Sequence, residues 1–333
     1  MEKIVECVPN FSEGRDAGVI DAISAAVKSV PGVTLLGVEP DKDYNRCVVT
    51  FVGAPGPVGE AAFRATEKAS SLIDMRKQTG EHPRIGATDV VPFVPVSGVT
   101  MDECVAISHS YGKRVAAELG IPVYLYEEAA RSPDRRNLAV VRKGEYEGLA
   151  AKLADPAWKP DYGGTAMNER SGATVTGARF FLIAYNVNLS TNDKGIAHEI
   201  ALRIRESGRT LKDPGGATTR IPGSLKMVKA MGVLVERLDL AQVSINLTNY
   251  IVTPPHVAFE EVRKQAAELG AAVNGSEIVG LVPKEALLMA GKHFGGADEE
   301  RALVEAAVTG LGLSTIEPFV PEKKIIEYMI NKG

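Results

Sequence analysis

The chain has 333 residues, 45% of them hydrophobic, and a formal net charge of -4 at pH 7. These values predict a globular protein of about two domains, and the small excess of acidic residues argues against a general nucleic-acid or membrane-surface role, which a basic surface would serve. Three cysteines and no apolar run of bilayer length argue against a disulfide framework and a transmembrane helix, so we expect a cytoplasmic protein.

The first half of the chain predicts the element order β-α-β-β-α-β. Apolar residues repeat at helical spacing after the opening strand and again after a pair of β-branched strands. The closing strand contains prolines, which favour an edge or end position in a sheet. The predicted elements are strand 4–8, helix 16–30, strand 33–38, a polar turn at 40–43, strand 47–52, helix 59–75 and strand 90–96.

The second half repeats this order, so the sequence predicts an α/β (α+β) fold with two ferredoxin-like βαββαβ subdomains in tandem. The boundary falls after residue 178, giving domains 1–178 and 179–333, the second with a C-terminal helical tail. The glycine- and proline-containing stretch 156–172 is expected to be a linker. The elements of the second copy are strand 180–189, helix 194–205, strands 227–236 and 240–247, helix 257–269 and strand 277–282, followed by helix 299–309. Further elements at 101–119, 122–125 and 146–153 extend the first copy.

The segment 80–89, Gly-Glu-His-Pro-Arg-Ile-Gly-Ala-Thr-Asp, is the most informative for function. It places a histidine among carboxylates and an arginine, and Pro83 and Gly86 keep a helix from continuing through it. Because an unperturbed histidine titrates near neutral pH, His82 is the candidate acid/base, on a loop. Capping, surface or packing roles are predicted for His109, His198 and His256, while His293 remains open.

The chain resembles the glutamate formiminotransferase (formimidoyltransferase) family over nearly its whole length, and four segments carry the resemblance. They are Glu6 to Gly14, Asn45-Arg46 followed by Thr50 to Gly53, the His82 segment, and Gly172 to Arg179 followed by Phe181 to Leu189. The resemblance implies a dimeric transferase of two similar subdomains, with tetrahydrofolate as co-substrate and no metal. It also implies a stand-alone form, without the cyclodeaminase domain that is fused to the animal members.

The activity implied by this resemblance is transfer of the formimino group from N-formimino-L-glutamate to N5 of tetrahydrofolate. The products are 5-formiminotetrahydrofolate and glutamate, which belong to one-carbon metabolism and histidine degradation. The same resemblance makes His82 the general acid/base. That role agrees with the chemistry, because N5 loses a proton as it attacks and the departing glutamate nitrogen gains one.

The folate-binding stretch of the family falls on ten consecutive residues in the expected linker. This chain departs from the animal relatives there, since it has Met167 and the charged pair Glu169-Arg170 in place of proline and aromatic residues. The ten residues are Gly163, Gly164, Thr165, Ala166, Met167, Asn168, Glu169, Arg170, Ser171 and Gly172.

Two further residues of the matched segments are candidate substrate ligands. Arginine grips carboxylates at two points, so we expect Arg46 to pair a substrate carboxylate and Asn10 to hydrogen-bond the amide or amidine. Seven basic residues between 203 and 229 offer another site for polyanionic ligands, and a solvated helix face explains them equally well. They are Arg203, Arg205, Arg209, Lys212, Arg220, Lys226 and Lys229, and residues 212–220 are expected to form a loop.

Two alternative functions remain open from the sequence. The first is formyl transfer between 5-formyltetrahydrofolate and glutamate, because its attacking and leaving atoms are like those of formimino transfer. The second is a non-catalytic folate-binding protein. A metal hydrolase is disfavoured because histidine and carboxylate residues show no ligand spacing. The expected partners are formiminoglutamate, folate and a second copy of the chain in a homodimer, with no nucleic acid and no membrane.

Overall fold

The computed structural model describes residues 3–212 and 218–330, and the chain divides into two compact units, Met1–Arg179 and Phe180–Gly333. The strands and α-helices of the first unit are β1 (Ile4–Cys7), β2 (Asn10–Phe11), α1 (Ala17–Lys28), β3 (Val33–Asp41), β4 (Arg46–Gly53), α2 (Pro55–Leu72), β5 (Thr88–Ser97), α3 (Met101–Leu119), β6 (Val123–Glu127), α4 (Leu138–Arg142), α5 (Leu149–Ala154) and β7 (Thr174–Ala178).

The sheet of the first unit contains the ferredoxin-like strand order. β3 pairs with β4, β4 with β1 and β2, and both of these with β5, all antiparallel. β1 and β2 thus act as one strand with a break at Val8 and Pro9. β7 and β6 extend the sheet beyond β5 in parallel. The predicted turn at 40–43 starts later than expected, because Pro40 and Asp41 still pair with β4.

Local sequence signals begin the three long helices of this unit. The Asp16 side chain accepts the first free N–H groups of α1, and Pro55 occupies the first turn of α2. Thr100 and Glu103 form a capping box at the start of α3, and Gly120 ends it in the left-handed conformation. These signals fix where each helix starts against the sheet.

The two faces of this sheet are covered differently. Helices α1, α2 and α3 pack on one face over a core that includes Phe11, Cys47 and Phe51. Residues 138–158 pack on the other face, at the β7 and β6 end, around Ile85, Tyr124 and other residues. Because side chains alternate along a strand, the neighbours of the core residues, Asn10 and Arg46, lie on the face opposite the three helices.

Two prolines lie inside β5, and the expected edge or end position is wrong for Pro92, since β5 is paired on both sides. The carbonyl of Pro92 accepts from the N–H of Val8 at 3.4 Å. The backbone nitrogen and carbonyl of one strand residue point to the same side. The nitrogen of Pro92, which lacks a hydrogen, therefore faces the break between β1 and β2, where no hydrogen bond between strands is lost. Pro95 lies beyond Phe93, the last β5 residue paired with β7.

The stretch 156–172 is not a linker but a part of the first unit. The N–H of Val123 donates to the carbonyl of Tyr162 at 3.0 Å, and the N–H of Met75 donates to that of Arg170 at 2.9 Å. Gly172 forms an antiparallel bridge with Gly86. Its polar, glycine-rich composition was misleading because these bonds join residues far apart in the chain.

The second unit has the ferredoxin-like order without additions to its four-stranded sheet, β11-β12-β8-β13, all antiparallel. Each unit therefore contains the expected βαββαβ arrangement, which confirms the predicted fold class. The elements are β8 (Ile183–Leu189), α6 (Lys194–Ile204), β9 (Arg209–Lys212), β10 (Thr218–Ile221), β11 (Val228–Val235), β12 (Leu240–Leu247), α7 (Pro255–Glu268), β13 (Val273–Val279), α8 (Lys284–His293), α9 (Glu300–Gly310), α10 (Pro321–Lys324) and α11 (Ile326–Ile330). None of the helices described is both long and apolar enough to cross a membrane.

Candidate active site

His82 lies on the loop between α2 and β5, as the sequence predicts. Its backbone N–H donates to the carbonyl of Tyr44 at 3.4 Å, and that of Glu81 donates to Asp43 at 3.5 Å. The imidazole meets the Tyr44 ring edge-on, with 6.5 Å between ring centroids. A Cβ on Gly80 would collide with the backbone of Tyr44. Glycine at this position therefore lets the histidine loop lie directly against the β3–β4 turn.

Asn45 connects this turn to two other loops. Its buried side chain accepts from the N–H of Gly14 at 2.9 Å and donates to the carbonyl of Thr79 at 2.8 Å. Its own carbonyl accepts from Gln78 at 3.1 Å. Asn45 adopts a positive φ of 48°, a conformation that asparagine tolerates better than most residues. It thus braces the segment from which the next residue, Arg46, projects.

Arg84 is a structural brace, because its donors are already engaged. Its guanidinium is 7% exposed, pairs with Glu147 at 2.7 Å and Glu145 at 3.1 Å, and donates through Nε to Gln78 at 2.8 Å. The hydrogen bonding of the Arg84 guanidinium, as donor, to the Glu147 carboxylate is the main cause that raises the pKa of Arg84. The histidine loop is thereby fixed to the turn after α4.

Asp89 is the extra residue of a β-bulge at the start of β5. Asn10 pairs with Val90 while Phe11 pairs with Thr88, so Asp89 has no partner on β2. Bulges commonly re-aim a side chain beside a functional site. Here the buried carboxylate accepts from the N–H of Ile85 at 3.0 Å and forms an ion pair with Arg142, the last residue of α4.

The charges around His82 are positive, and they keep the imidazole neutral. Burial is the largest cause that lowers the pKa of His82 from 6.5 to about 4, and the charges of Arg142, Arg46 and Arg84 lower it further. Asp41 acts in the opposite direction. At neutral pH His82 is therefore unprotonated and able to accept a proton.

Two of these arginines have unused hydrogen-bond donors. The Nε atoms of Arg46 and Arg142 are buried and have no acceptor among the described residues. The guanidinium of Arg46 lies 5.8 Å from the ring centroid of Tyr44, the same ring that His82 contacts. A buried unpaired donor is costly, so these two arginines favour an added acceptor, such as the carboxylate of an anionic ligand.

The structure brings the candidate folate segment next to the histidine segment. The N–H of Ala87 donates to the carbonyl of Ser171 at 2.9 Å, and that of Ala173 donates to Ile85 at 3.0 Å. Residues 163–166 are exposed, whereas Met167 packs partly against the core below α5. Arg170 is engaged with the carbonyls at the end of α2. Asn10 lies on β2, and its amide donates locally to Val8 at 3.3 Å.

The basic run of the second unit is mostly occupied by internal contacts. Arg203 pairs with Glu199 at 2.8 Å and Glu268 at 3.3 Å, and Arg209 shares Glu199 at 2.6 Å. Arg205 and Arg220 donate to nearby carbonyls, and Lys226 lies 3.8 Å from Glu206. The predicted loop 212–220 includes residues 213–217, which lie outside the described residues, and its flanks form the β9–β10 hairpin. These contacts disfavour a site for polyanionic ligands. The helix-face explanation fits Arg203 on α6, whereas Arg209 and Arg220 lie on the strands β9 and β10.

The other histidines have structural surroundings. His109 on α3 bonds through Nδ1 to the hydroxyl of Tyr162 at 2.7 Å, and His198 is exposed on α6. His256 and His293 stack on each other with centroids 4.7 Å apart. Across residues 3–212 and 218–330, no group of three or more histidine, cysteine, aspartate or glutamate side chains is arranged to hold a metal ion.

Two family models match the chain in succession. The model described as formiminotransferase domain, N-terminal subdomain, covers residues 4–179, and the model described as formiminotransferase domain covers residues 184–331. The chain belongs to the formiminotransferase family. The resemblance carried by the four sequence segments is thereby confirmed.

Members of this family with similar sequences come in two lengths. The glutamate formimidoyltransferases of Streptococcus pyogenes serotype M1 and Thermoplasma acidophilum are 46% and 45% identical, over 88% and 91% of this chain and 94% and 98% of their own. The formimidoyltransferase-cyclodeaminase of Dictyostelium discoideum is 51% identical over the whole chain, which spans 61% of that longer relative.

The sequence did not reveal two features of this site. These are the presence of Arg142 and the bracing role of Asn45. Arg142 lies on a short helix, 53 positions from its partner Asp89, and nothing in the surrounding Leu-Ala-Val-Val-Arg suggests a ligand. Asn45 was noticed as part of a matched segment, but its bracing role depends on three loops that meet only in the fold.

Proposed function

We propose that this chain transfers the formimino group of N-formimino-L-glutamate to N5 of tetrahydrofolate, with His82 as general acid/base. The observation that carries the proposal is a neutral, half-buried imidazole beside two arginines with unused donors, in a chain of the formiminotransferase family. The stand-alone relatives bear the name glutamate formimidoyltransferase, which supports the same donor and reaction class.

Each residue has a defined task in this reaction. Arg46 binds a carboxylate of the donor, and its charge holds that carboxylate at the site. The neutral imidazole accepts the proton released as N5 bonds to the formimino carbon. It returns this proton to the glutamate nitrogen as the carbon–nitrogen bond to glutamate breaks. No net proton is gained or lost, and one side chain serves as base and then as acid.

Tetrahydrofolate supplies the nucleophilic N5, and the ten residues 163–172 are proposed to bind it. Two features of this segment fit a flat, partly apolar, anionic ligand: an exposed backbone at 163–166 and the partly buried thioether of Met167. The backbone bonds of Ser171 and Ala173 anchor the segment beside the histidine loop. Asn10 is proposed to hydrogen-bond the amidine, which requires its amide to leave the carbonyl of Val8.

The first experiment is formimino transfer by the purified protein and by His82→Gln, with His198→Gln as the matched control on α6. Loss of a positioned acid/base lowers kcat by about 10² to 10⁴, with KM values changed far less. The control variant retains full turnover. Folded His82→Gln protein with unchanged kcat would exclude the acid/base role.

Assays on the same purified protein distinguish the two alternative functions, formyl transfer and non-catalytic folate binding. Turnover with 5-formyltetrahydrofolate and glutamate but not with formiminoglutamate would select formyl transfer. Folate binding without turnover of either donor would select the non-catalytic binding protein. The homodimeric state that the family resemblance implies is tested by sedimentation of the purified protein. The cytoplasmic location expected from composition is tested separately by fractionation of cells that contain the protein.

A further inference from the structure

The guanidinium of Arg142 is buried but only partly satisfied. Its side chain is 15% exposed, and one Nη atom forms the ion pair with Asp89. Its Nε lies buried without an acceptor, as does the Nε of Arg46. Arg84, the third arginine near His82, differs from both because Glu145, Glu147 and Gln78 use its donors.

Backbone and side-chain contacts hold Arg142 beside the histidine loop from two sides. Asp89, its ion-pair partner, also accepts from the N–H of Ile85 at 3.0 Å, three residues after His82. On the other side, the N–H of Tyr146 donates to the carbonyl of Arg84 at 2.8 Å. These bonds therefore connect the end of α4, and Arg142 with it, to the segment that directly follows His82.

We propose that Arg142 is the second carboxylate-binding residue for formiminoglutamate, with Arg46 binding the first carboxylate and Asp89 positioning Arg142. This inference rests on the proposed function, since it assigns the donor as a dicarboxylate. Two guanidiniums, each with a free Nε, match a ligand with two carboxylates, and a planar donor fork binds each in a defined orientation. The pair thereby selects a dicarboxylic donor over a monocarboxylic one.

The same arrangement couples donor binding to the basicity of His82. The charges of Arg142 and Arg46 lower the pKa of the free imidazole, and a bound dicarboxylate offsets these charges. His82 is consequently more basic when the donor is present, at the stage when it must accept a proton.

The test compares Arg142→Gln and Arg142→Lys with Arg136→Gln, a control that removes an exposed arginine paired with Glu128. The KM for formiminoglutamate rises about 10- to 100-fold in Arg142→Gln, the range of a lost charge-assisted bond, while the KM for tetrahydrofolate is unchanged. Arg142→Lys recovers part of the loss. Two analogues, N-formimino-4-aminobutyrate and N-formimino-2-aminobutyrate, each lack one carboxylate. The unmutated protein prefers formiminoglutamate over both analogues. In Arg142→Gln this preference is smaller for one of the two.

A second measurement does not depend on turnover. Glutamate binding is followed by calorimetry, and the pKa of His82 by NMR with and without glutamate. Glutamate raises this pKa in the unmutated protein and raises it less in Arg142→Gln. If glutamate binding persists but formimino transfer is absent, the proposed function fails while the dicarboxylate site stands.

An unchanged KM for formiminoglutamate and unchanged glutamate binding in folded Arg142→Gln would overturn the proposal. Should that variant unfold because Asp89 is left unpaired, the double variant Arg142→Gln/Asp89→Asn removes both charges and is tested in the same way. Retention of donor discrimination and of the glutamate-dependent pKa change in the double variant would again overturn it.

Discussion

His82 shows how a residue that titrates near neutrality is kept unprotonated by its surroundings. The ring is partly removed from water, and three guanidiniums act on it in the same direction. Either cause alone favours the neutral form, and together they lower the pKa to about 4. The folded chain thus holds His82 unprotonated at neutral pH. At low pH the same surroundings oppose its protonation, which destabilises the folded state.

That cost predicts a stability change with pH. Because the folded pKa of about 4 is below the ordinary value of 6.5, the unfolded chain binds more protons between these two values, and stability is lost as pH falls through this interval. His82→Gln lacks this contribution and loses less stability than the unmutated protein between about pH 7 and about pH 5.

Urea unfolding of both proteins at the two pH values gives the difference directly. Contributions of other histidines and of the carboxylates cancel in the comparison. Equal pH dependence in the two proteins would show that His82 is not perturbed in the fold.

At the residue scale, the sequence predicted which side chains are suited to the reaction better than it predicted which side chains contact one another. His82 and Arg46 were identified from residue type and matched segments, and the structure brings both against Tyr44. Arg142 could not be identified, because its relation to His82 passes through Asp89, a bulged residue. A bulge is a property of strand pairing and is not visible as a local pattern.

At the element scale, periodicity gave the order of most strands and helices, and composition misplaced one segment. Hydrophobic repeats located α1, α2, α6 and α7 within a few residues of their observed bounds. The strand β7 was not predicted, because its run Thr-Val-Thr-Gly-Ala is short. Its parallel pairing with β5 draws residues 156–172 onto the first unit, where composition alone had indicated a linker.

The 163–172 segment gives a prediction about folate at this scale. Gly164 is exposed and does not adopt a positive φ, and a Cβ there would make one ordinary contact, with the backbone nitrogen of Ala166 at 3.9 Å. A glutamate there places a negative charge in the proposed path of a polyanion, so Gly164→Glu raises the KM for tetrahydrofolate by about tenfold, roughly the effect of one unfavourable charge contact. The KM for formiminoglutamate is unaffected.

Gly164→Ala is the matched control and behaves like the unmutated protein. Steady-state kinetics with each substrate varied in turn provides the measurement. Equal KM values for tetrahydrofolate in the glutamate and alanine variants would remove this stretch from the folate site.

At the scale of the whole molecule, the two units repeat one topology but differ in the loop before the last ferredoxin strand. In the first unit this loop spans residues 73–87 and contains His82, and its backbone is tied to the β3–β4 turn. In the second unit it spans residues 269–272, Leu-Gly-Ala-Ala, which carry no titratable side chain. The same fold therefore carries a long loop with a titratable histidine in one copy and a short connection without titratable side chains in the other.

Paired insertions of one glycine test this division of roles. Between Gly80 and Glu81, an added residue displaces the bonds from Glu81 and His82 to the β3–β4 turn, and a misplaced catalytic group costs about 10² in rate. Between Ala271 and Ala272, the added residue lengthens the connection, and the two hydrogen bonds between Ala272 and Ser190 can re-form across the longer loop, whose entropy costs at most about 1 kcal/mol. We therefore expect turnover to fall about 100-fold in the first insertion and to persist in the second, with both proteins folded by circular dichroism. Loss of turnover in both would assign the second loop a role equal to that of the first.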